Sequence, residues 1–80
     1  MMTLTLYSRR ACPLCDDMMI DLEMAARGRE IHVDVVDVDT DPTLVERYGL
    51  KVPVLCHGDT ELCHGQLDAA ALNRYLHSVK

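Results

Sequence analysis

Aromatic residues are scarce: three Tyr, no Phe and no Trp. The core must therefore be assembled from Leu, Val, Ile, Met and Ala. Basic charge is also short, with eight Lys and Arg against thirteen Asp and Glu and a net charge of −5. The acidic residues are spread along the chain and no basic patch interrupts them. That composition disfavours nucleic acid and anionic membrane as partners, since both require a basic face. No apolar run nears the ~18 residues of a membrane span. Met1-Met2-Thr3-Leu4-Thr5-Leu6 lacks the basic lead, long apolar stretch and small-residue cleavage site of a secretory leader. A cytoplasmic location is expected. The 80 residues allow one domain, 1–80, and contain no repeats, linkers or low-complexity segments.

What is present is a regular succession of short elements. Thr3 to Tyr7 alternates, with Leu4 and Leu6 on one face, and predicts a strand. After the polar loop Ser8-Arg9-Arg10-Ala11, Cys12-Pro13 opens a helix, because Pro at the first helical position loses no needed hydrogen bond. Leu14, Met18, Leu22 and Ala25 recur at helical spacing, and Gly28 is a natural stop. Ile31 to Val35 alternates, and Val35-Val36 then breaks the phase, as in a central strand covered on both faces. Thr40-Asp41-Pro42 starts a short helix carrying Leu44, Val45 and Tyr48, with Gly49 ending it. Val52-Pro53-Val54-Leu55-Cys56 reads as a strand, and Gly58-Asp59 as a hairpin turn into Glu61-Leu62-Cys63. Asp68 caps a last helix with Leu72, Tyr75, Leu76 and Val79 on one stripe and Leu67 stapling its start. The order β-α-β-α-β-β-α implies an α/β fold: a mixed four-stranded sheet, a right-handed crossover between strands 1 and 2, and helices on both faces.

The chemical signal is Cys12-Pro13-Leu14-Cys15, placed between a strand and the helix it feeds. A thiolate is the reactive form of cysteine, and at an ordinary pKa of about 8.5 only a few per cent is thiolate at neutral pH. A helix N-terminus surrounds the Cys12 sulfur with unpaired N–H groups and the positive end of the dipole. Arg9 and Arg10 add positive charge, whereas Asp16 and Asp17 oppose it; the expected outcome is an acidified Cys12. Cys15, one turn inside, is placed to attack a mixed disulfide on Cys12 and release the reduced substrate. Other readings of the four cysteines stand beside this one. A purely structural disulfide is disfavoured at a helix start in a cytoplasmic chain; Cys12 and Cys15 also read as half of a zinc site that Cys56 and Cys63, each followed by a histidine (His57 and His64), would complete. The second pair's spacing of six is longer than a zinc knuckle uses, and neighbours such as Cys56 and His57 point to opposite faces of a strand. With a two-residue turn, Cys63 lies opposite Val54 and diagonal to Cys56 on one face, where both read as small buried residues.

Three ordered segments resemble one family. Leu-Tyr-Ser-Arg-Arg-Ala-Cys-Pro-Leu-Cys, Asp-Val-Asp-Thr-Asp-Pro and Tyr-Gly-Leu-Lys-Val-Pro-Val-Leu, spread between Leu4 and Leu76, are similar to the small bacterial glutaredoxin-like proteins. The resemblance implies a thioredoxin-like three-layer sandwich in which the Val52–Pro53 bond is cis and lies against the cysteines. It implies a thiol–disulfide oxidoreductase that reduces disulfides or glutathione mixed disulfides, with Cys12 as nucleophile, Cys15 as resolving thiol and Pro13, Arg9, Arg10 and Pro53 in support. Glutathione or other substrate would be bound by Arg9 through a carboxylate, by Val52 and Pro53 through backbone strand addition, by Gly65 through close approach, and by Asp68. No prosthetic group or metal is implied. The co-substrate is glutathione or a dithiol reductant, the partner a disulfide-bearing protein, and the acting species a monomer. The departures are Leu14 in place of an aromatic, Lys51 in place of Thr, and His64-Gly65 where a Gly-Gly pair admits the tripeptide. Arg9 also reads as a solvated loop charge and Asp68 as a plain cap. The competing reading of the whole is a redox-inactive binding module whose cysteines hold a metal or dock a partner.

Overall fold

The computed structural model describes residues 2–78. Its elements are β1 (Met2–Ser8), α1 (Pro13–Ala26), β2 (Ile31–Asp37), a 3-10 turn (Val38–Thr40), α2 (Pro42–Tyr48), β3 (Val54–His57), β4 (Thr60–His64) and α3 (Ala69–Ser78). The strands lie in the order β2-β1-β3-β4. β1 and β2 run parallel through the α1 crossover, while β1–β3 and β3–β4 are antiparallel.

The period-2 alternation of the strands sorts the apolar residues into two layers. On one face Leu4, Leu6 and Leu55 are fully buried against Met18 and Leu22 of α1 and Leu72 of α3. On the other, Val54 and Cys56 pack with Val38 and with Tyr48 of α2, and Tyr7 stacks on Tyr48 with ring centroids 4.4 Å apart. The scarcity of aromatics is thus met by Leu and Met on the α1–α3 side and by one Tyr pair beneath α2. Each fully buried Leu contributes about 2 kcal/mol by leaving water.

Caps and a glycine mark helix boundaries where the sequence predicts them. Asp41 Oδ1 accepts a hydrogen bond from the Thr43 N–H at 2.9 Å, with Pro42 in the first helical position. Asp68 Oδ1 accepts from the Ala71 N–H at 2.9 Å. Gly28, two residues past α1, takes a φ of +79°, a conformation costly for other residues. Tyr75 keeps its ring on the packed side of α3 and places its hydroxyl 2.5 Å from His57 Nδ1, tying α3 to the sheet.

Four expectations are corrected, and one lies outside the described residues. Leu14 is 54% exposed rather than in the core stripe, which begins one residue later with Cys15. β2 is an edge strand, not a central one; with a neighbour on one side only, its Val35 is left 52% exposed. β3 begins at Val54, so Val52 and Pro53 precede the ladder. A register shift between Leu55 and Cys56 sets Cys63 opposite Leu55 and His64 opposite Val54. The extra residue of that bulge flips the strand over. Cys63 therefore packs on the α1–α3 layer while Cys56 packs beneath α2. Val79, expected on the α3 stripe, lies outside the described residues.

Candidate active site

The loop after β1 turns sharply into α1. Ala11 holds a φ of +52°, the left-handed region that a Cβ disfavours. Cys12 is extended (φ −114°, ψ 97°) and forms the N-cap of α1, with Pro13 in the first helical position. Its carbonyl accepts from the Asp16 N–H at 3.1 Å. Its sulfur takes the place a Ser or Asp oxygen usually holds, accepting from the Cys15 N–H at 3.1 Å. Cys12 and Cys15 are joined by a disulfide with Cα atoms 5.2 Å apart, within the ordinary span. Cys12 is half-buried, whereas Cys15 is 4% exposed. The outer sulfur is the one a partner can reach, and the inner one sits beneath it.

The Val52–Pro53 bond is cis. The Pro53 carbonyl accepts from the Gly65 N–H at 2.8 Å, which fixes the start of the β4–α3 loop beside it; Gly65 has a φ of +76°. Gly65 and Leu67 of that loop face Leu14, Asp17, Ile20 and Asp21 of α1 across a groove of about 340 Å³. The groove thus brings together Leu14, one of the two residues between the cysteines, and Gly65, the residue bonded to Pro53.

The expected binding residues are only partly gathered here. The Arg9 guanidinium donates to both carboxylate oxygens of Asp39, at 3.2 and 2.7 Å, and to the Gly49 carbonyl at 3.2 Å, on the α2 side of the sheet. This contact raises the Arg9 pKa and holds the Asp39 carboxyl below its usual range, in both cases chiefly through the side-chain hydrogen bond. Arg10 is exposed. The Val52 N–H, expected to bond an extended substrate, is already donated to the Tyr48 carbonyl at 3.0 Å, as is that of Lys51 at 2.8 Å. Asp68 is occupied as the α3 cap. His64 turns toward Glu61 (Nδ1 to Oε2, 3.2 Å), and Lys51 Nζ donates to Glu61 Oε1 at 2.7 Å. The Lys51 hydrogen bond is the main reason the Glu61 carboxyl is held below its usual range.

The remaining two cysteines are free thiols. Burial pushes the pKa of each upward, the reverse of what a nucleophile needs. They lie on opposite faces of the sheet, so the four sulfurs do not converge. Among the described residues, no three His, Cys, Asp or Glu side chains form a group that could hold a metal ion.

The Glutaredoxin-like domain family (DUF836) matches residues 3–77. The chain belongs to this family. A protein from Nitrosomonas europaea, determined by solution NMR, is 32% identical with a TM-score of 0.83, covering 92% of this chain and 89% of that one. A protein from X. campestris, determined by X-ray diffraction, is 37% identical with a TM-score of 0.75, covering 96% and 99%. Thioredoxin 1 from Thermosipho africanus, 19% identical with a TM-score of 0.63 over 96% and 97%, shares the fold. No curated protein matches the sequence. The fold of this glutaredoxin-like domain is therefore thioredoxin-like.

Sequence reasoning did not find Asp39 as the partner of Arg9, because the two are thirty residues apart. It also passed over the groove. The signal was available: positions 14, 17, 18 and 21 recur at three- and four-residue steps along α1.

Proposed function

We propose that this glutaredoxin-like domain is a thiol–disulfide oxidoreductase that works through Cys12 and Cys15. The observation that carries the reading is the placement of the pair: an accessible sulfur at the N-cap of α1, disulfide-linked to a buried one a turn inside. In the reduced protein the Cys12 thiolate attacks a substrate disulfide and expels one substrate sulfur as a thiol. The Cys15 thiolate then attacks Cys12, forming the internal disulfide and releasing the second substrate thiol. Two electrons pass to the substrate, and glutathione or a dithiol reductant returns the protein to the reduced state. The backbone N–H groups at the helix start stabilise the Cys12 thiolate both as attacking and as leaving group. The reading is of a cytoplasmic monomer that needs no prosthetic group. No helix among the described residues is long and apolar enough to cross a membrane.

The test is equilibration against glutathione redox buffers, with the species read by mass after acid quench and alkylation. A reversible Cys12–Cys15 disulfide is expected, together with a glutathione adduct on Cys12 in Cys15→Ser. A disulfide without the adduct keeps the oxidoreductase and assigns reduction to a dithiol. Absence of any reversible couple would overturn the reading in favour of a binding module.

A further inference from the structure

The groove between α1 and the β4–α3 loop has a character that the redox chemistry alone does not require. It opens beside the cysteines, since Leu14 lies between them in sequence and lines it. Its only charged lining residues are Asp17 and Asp21; both are exposed, and neither side chain has a hydrogen bond or ion pair among the described residues. A second hollow of about 370 Å³ shares Asp21 and Leu67 and continues to Met24. Leu14, Ile20 and Met24, 54%, 59% and 65% exposed, are three of the five large hydrophobics left open to water in the described chain. Leu14 and Ile20 line the first hollow and Met24 the second, and the two hollows meet at Asp21 and Leu67. From Leu14 to Met24 the helix rises about 15 Å, the length of about four or five residues of extended chain.

The basic groups of the site stand elsewhere. Arg9 is bound to Asp39 and Gly49 on the α2 side of the sheet. The groove thus offers apolar contact and negative charge, and no cation to meet a carboxylate. Glutathione, a small tripeptide with two carboxylates, is poorly matched to it in both length and sign.

Building on the oxidoreductase reading, we propose that this groove receives an extended segment of a disulfide-bearing protein in which the cystine is flanked by apolar and basic residues. Asp17 and Asp21 select the basic residues, while Leu14, Ile20 and Met24 take up the apolar ones. The partner's cystine then lies over Cys12, and the exchange proceeds as above: the partner gains two electrons and leaves with two thiols as Cys12 and Cys15 become a disulfide. Long-range attraction makes the preference chiefly one of association rate, strongest at low salt.

The test uses two synthetic peptides with the same intramolecular cystine, one flanked by Lys and Leu and the other by Glu and Leu. The protein is reduced, freed of reductant and mixed with each in single turnover, and oxidation of Cys12/Cys15 is followed by quench alkylation and mass. The Lys peptide is expected to react about tenfold faster at low ionic strength, with the ratio shrinking as salt is added. In the D17N/D21N double variant the ratio falls to about two- or threefold. In the E46Q/D59N control, which removes the same charge away from the groove, it stays near the wild-type value. Equal rates for the two peptides, or an equal fall of the ratio in the control, would overturn the groove assignment while leaving the oxidoreductase intact. If neither peptide oxidises the dithiol, the redox reading itself fails, and this proposal with it.

Discussion

Asp68 has two possible uses, and substitution separates them. As the N-cap of α3 it accepts from the Ala71 N–H at 2.9 Å. Its charge also stands at the positive end of a ten-residue helix. Asp68→Ala removes both contributions. Loss of a cap costs about 1 kcal/mol, and loss of the charge at the dipole costs about 0.5 kcal/mol more. The total is about 1.5 kcal/mol, which in a domain of 80 residues lowers Tm by roughly 6–12 °C. Asp68→Asn keeps an acceptor oxygen and loses only the charge, so its Tm falls by about 4 °C or less. Thermal unfolding followed by circular dichroism at neutral pH, with the Cys12/Cys15 disulfide kept intact, measures both. An unchanged Tm in Asp68→Ala would refute the capping argument, and an equal loss in both variants would assign the effect to charge. Glutathionylation of Cys12 measured in a Cys15→Ser background supplies the second axis. If Asp68 only caps, Asp68→Asn forms the adduct at the parent rate. If it also holds glutathione, the adduct rate falls while Tm barely moves.

Three further outcomes follow from the packing and the charges. Leu55→Ala empties the centre of the sheet, where Leu55 is fully buried against both α1 and α3, and should cost about 3 kcal/mol, seen as a lower urea midpoint with an unchanged slope. The Glu61 carboxyl is held below its unfolded value by Lys51, so this contribution is present above the unfolded Glu pKa and is lost as pH falls through the folded one. Accordingly, Glu61→Gln should narrow the stability difference between neutral pH and an acid pH below the ordinary Glu pKa, read as Tm at each. Burial raises the Cys56 and Cys63 thiols, so in the native reduced protein both should alkylate more slowly than Cys12, with the difference vanishing in denaturant; equal native rates would contradict the burial argument.

The elements were legible because their signals are local. Leu4 and Leu6 alternate within five residues, and Cys12-Pro13, Asp41-Pro42 and Asp68 each mark a helix start by chemistry confined to one turn. What escaped was set by pairing between distant segments. The bulge opposite Leu55 adds one residue to β4 without a glycine or proline inside the strand to announce it, and it carries Cys63 from one face to the other. The exposure of Val35 follows from β2 lying at the sheet edge, which hydrophobic alternation alone does not report. Leu14 has helical spacing from Met18 and Leu22, yet on the first turn of α1 it remains exposed beside the groove. For the site, Cys12 and Cys15 were readable from spacing. The capture of Arg9 by Asp39 and of the Val52 N–H by Tyr48 was not.

Those two captured groups bear on which substrates the site suits. A glutathione site built on Arg9 and on Val52 would share groups that already have partners: three of the five Arg9 N–H donors and the Val52 N–H are in use. Releasing Arg9 means leaving the Asp39 carboxylate without the hydrogen bond that lowers its pKa. Releasing the Val52 N–H means undoing a bond to Tyr48, whose ring is buried under the sheet against Tyr7. By contrast, the α1 side of the cysteines is open, part apolar and part acidic, and uncommitted. A partner that approaches along α1 displaces nothing, whereas one that pairs with the Val52 N–H must first break its bond to the Tyr48 carbonyl. On the proposed oxidoreductase reading, that cost favours an extended protein segment along α1 over a tripeptide paired with the Val52 N–H, independently of the charge on Asp17 and Asp21.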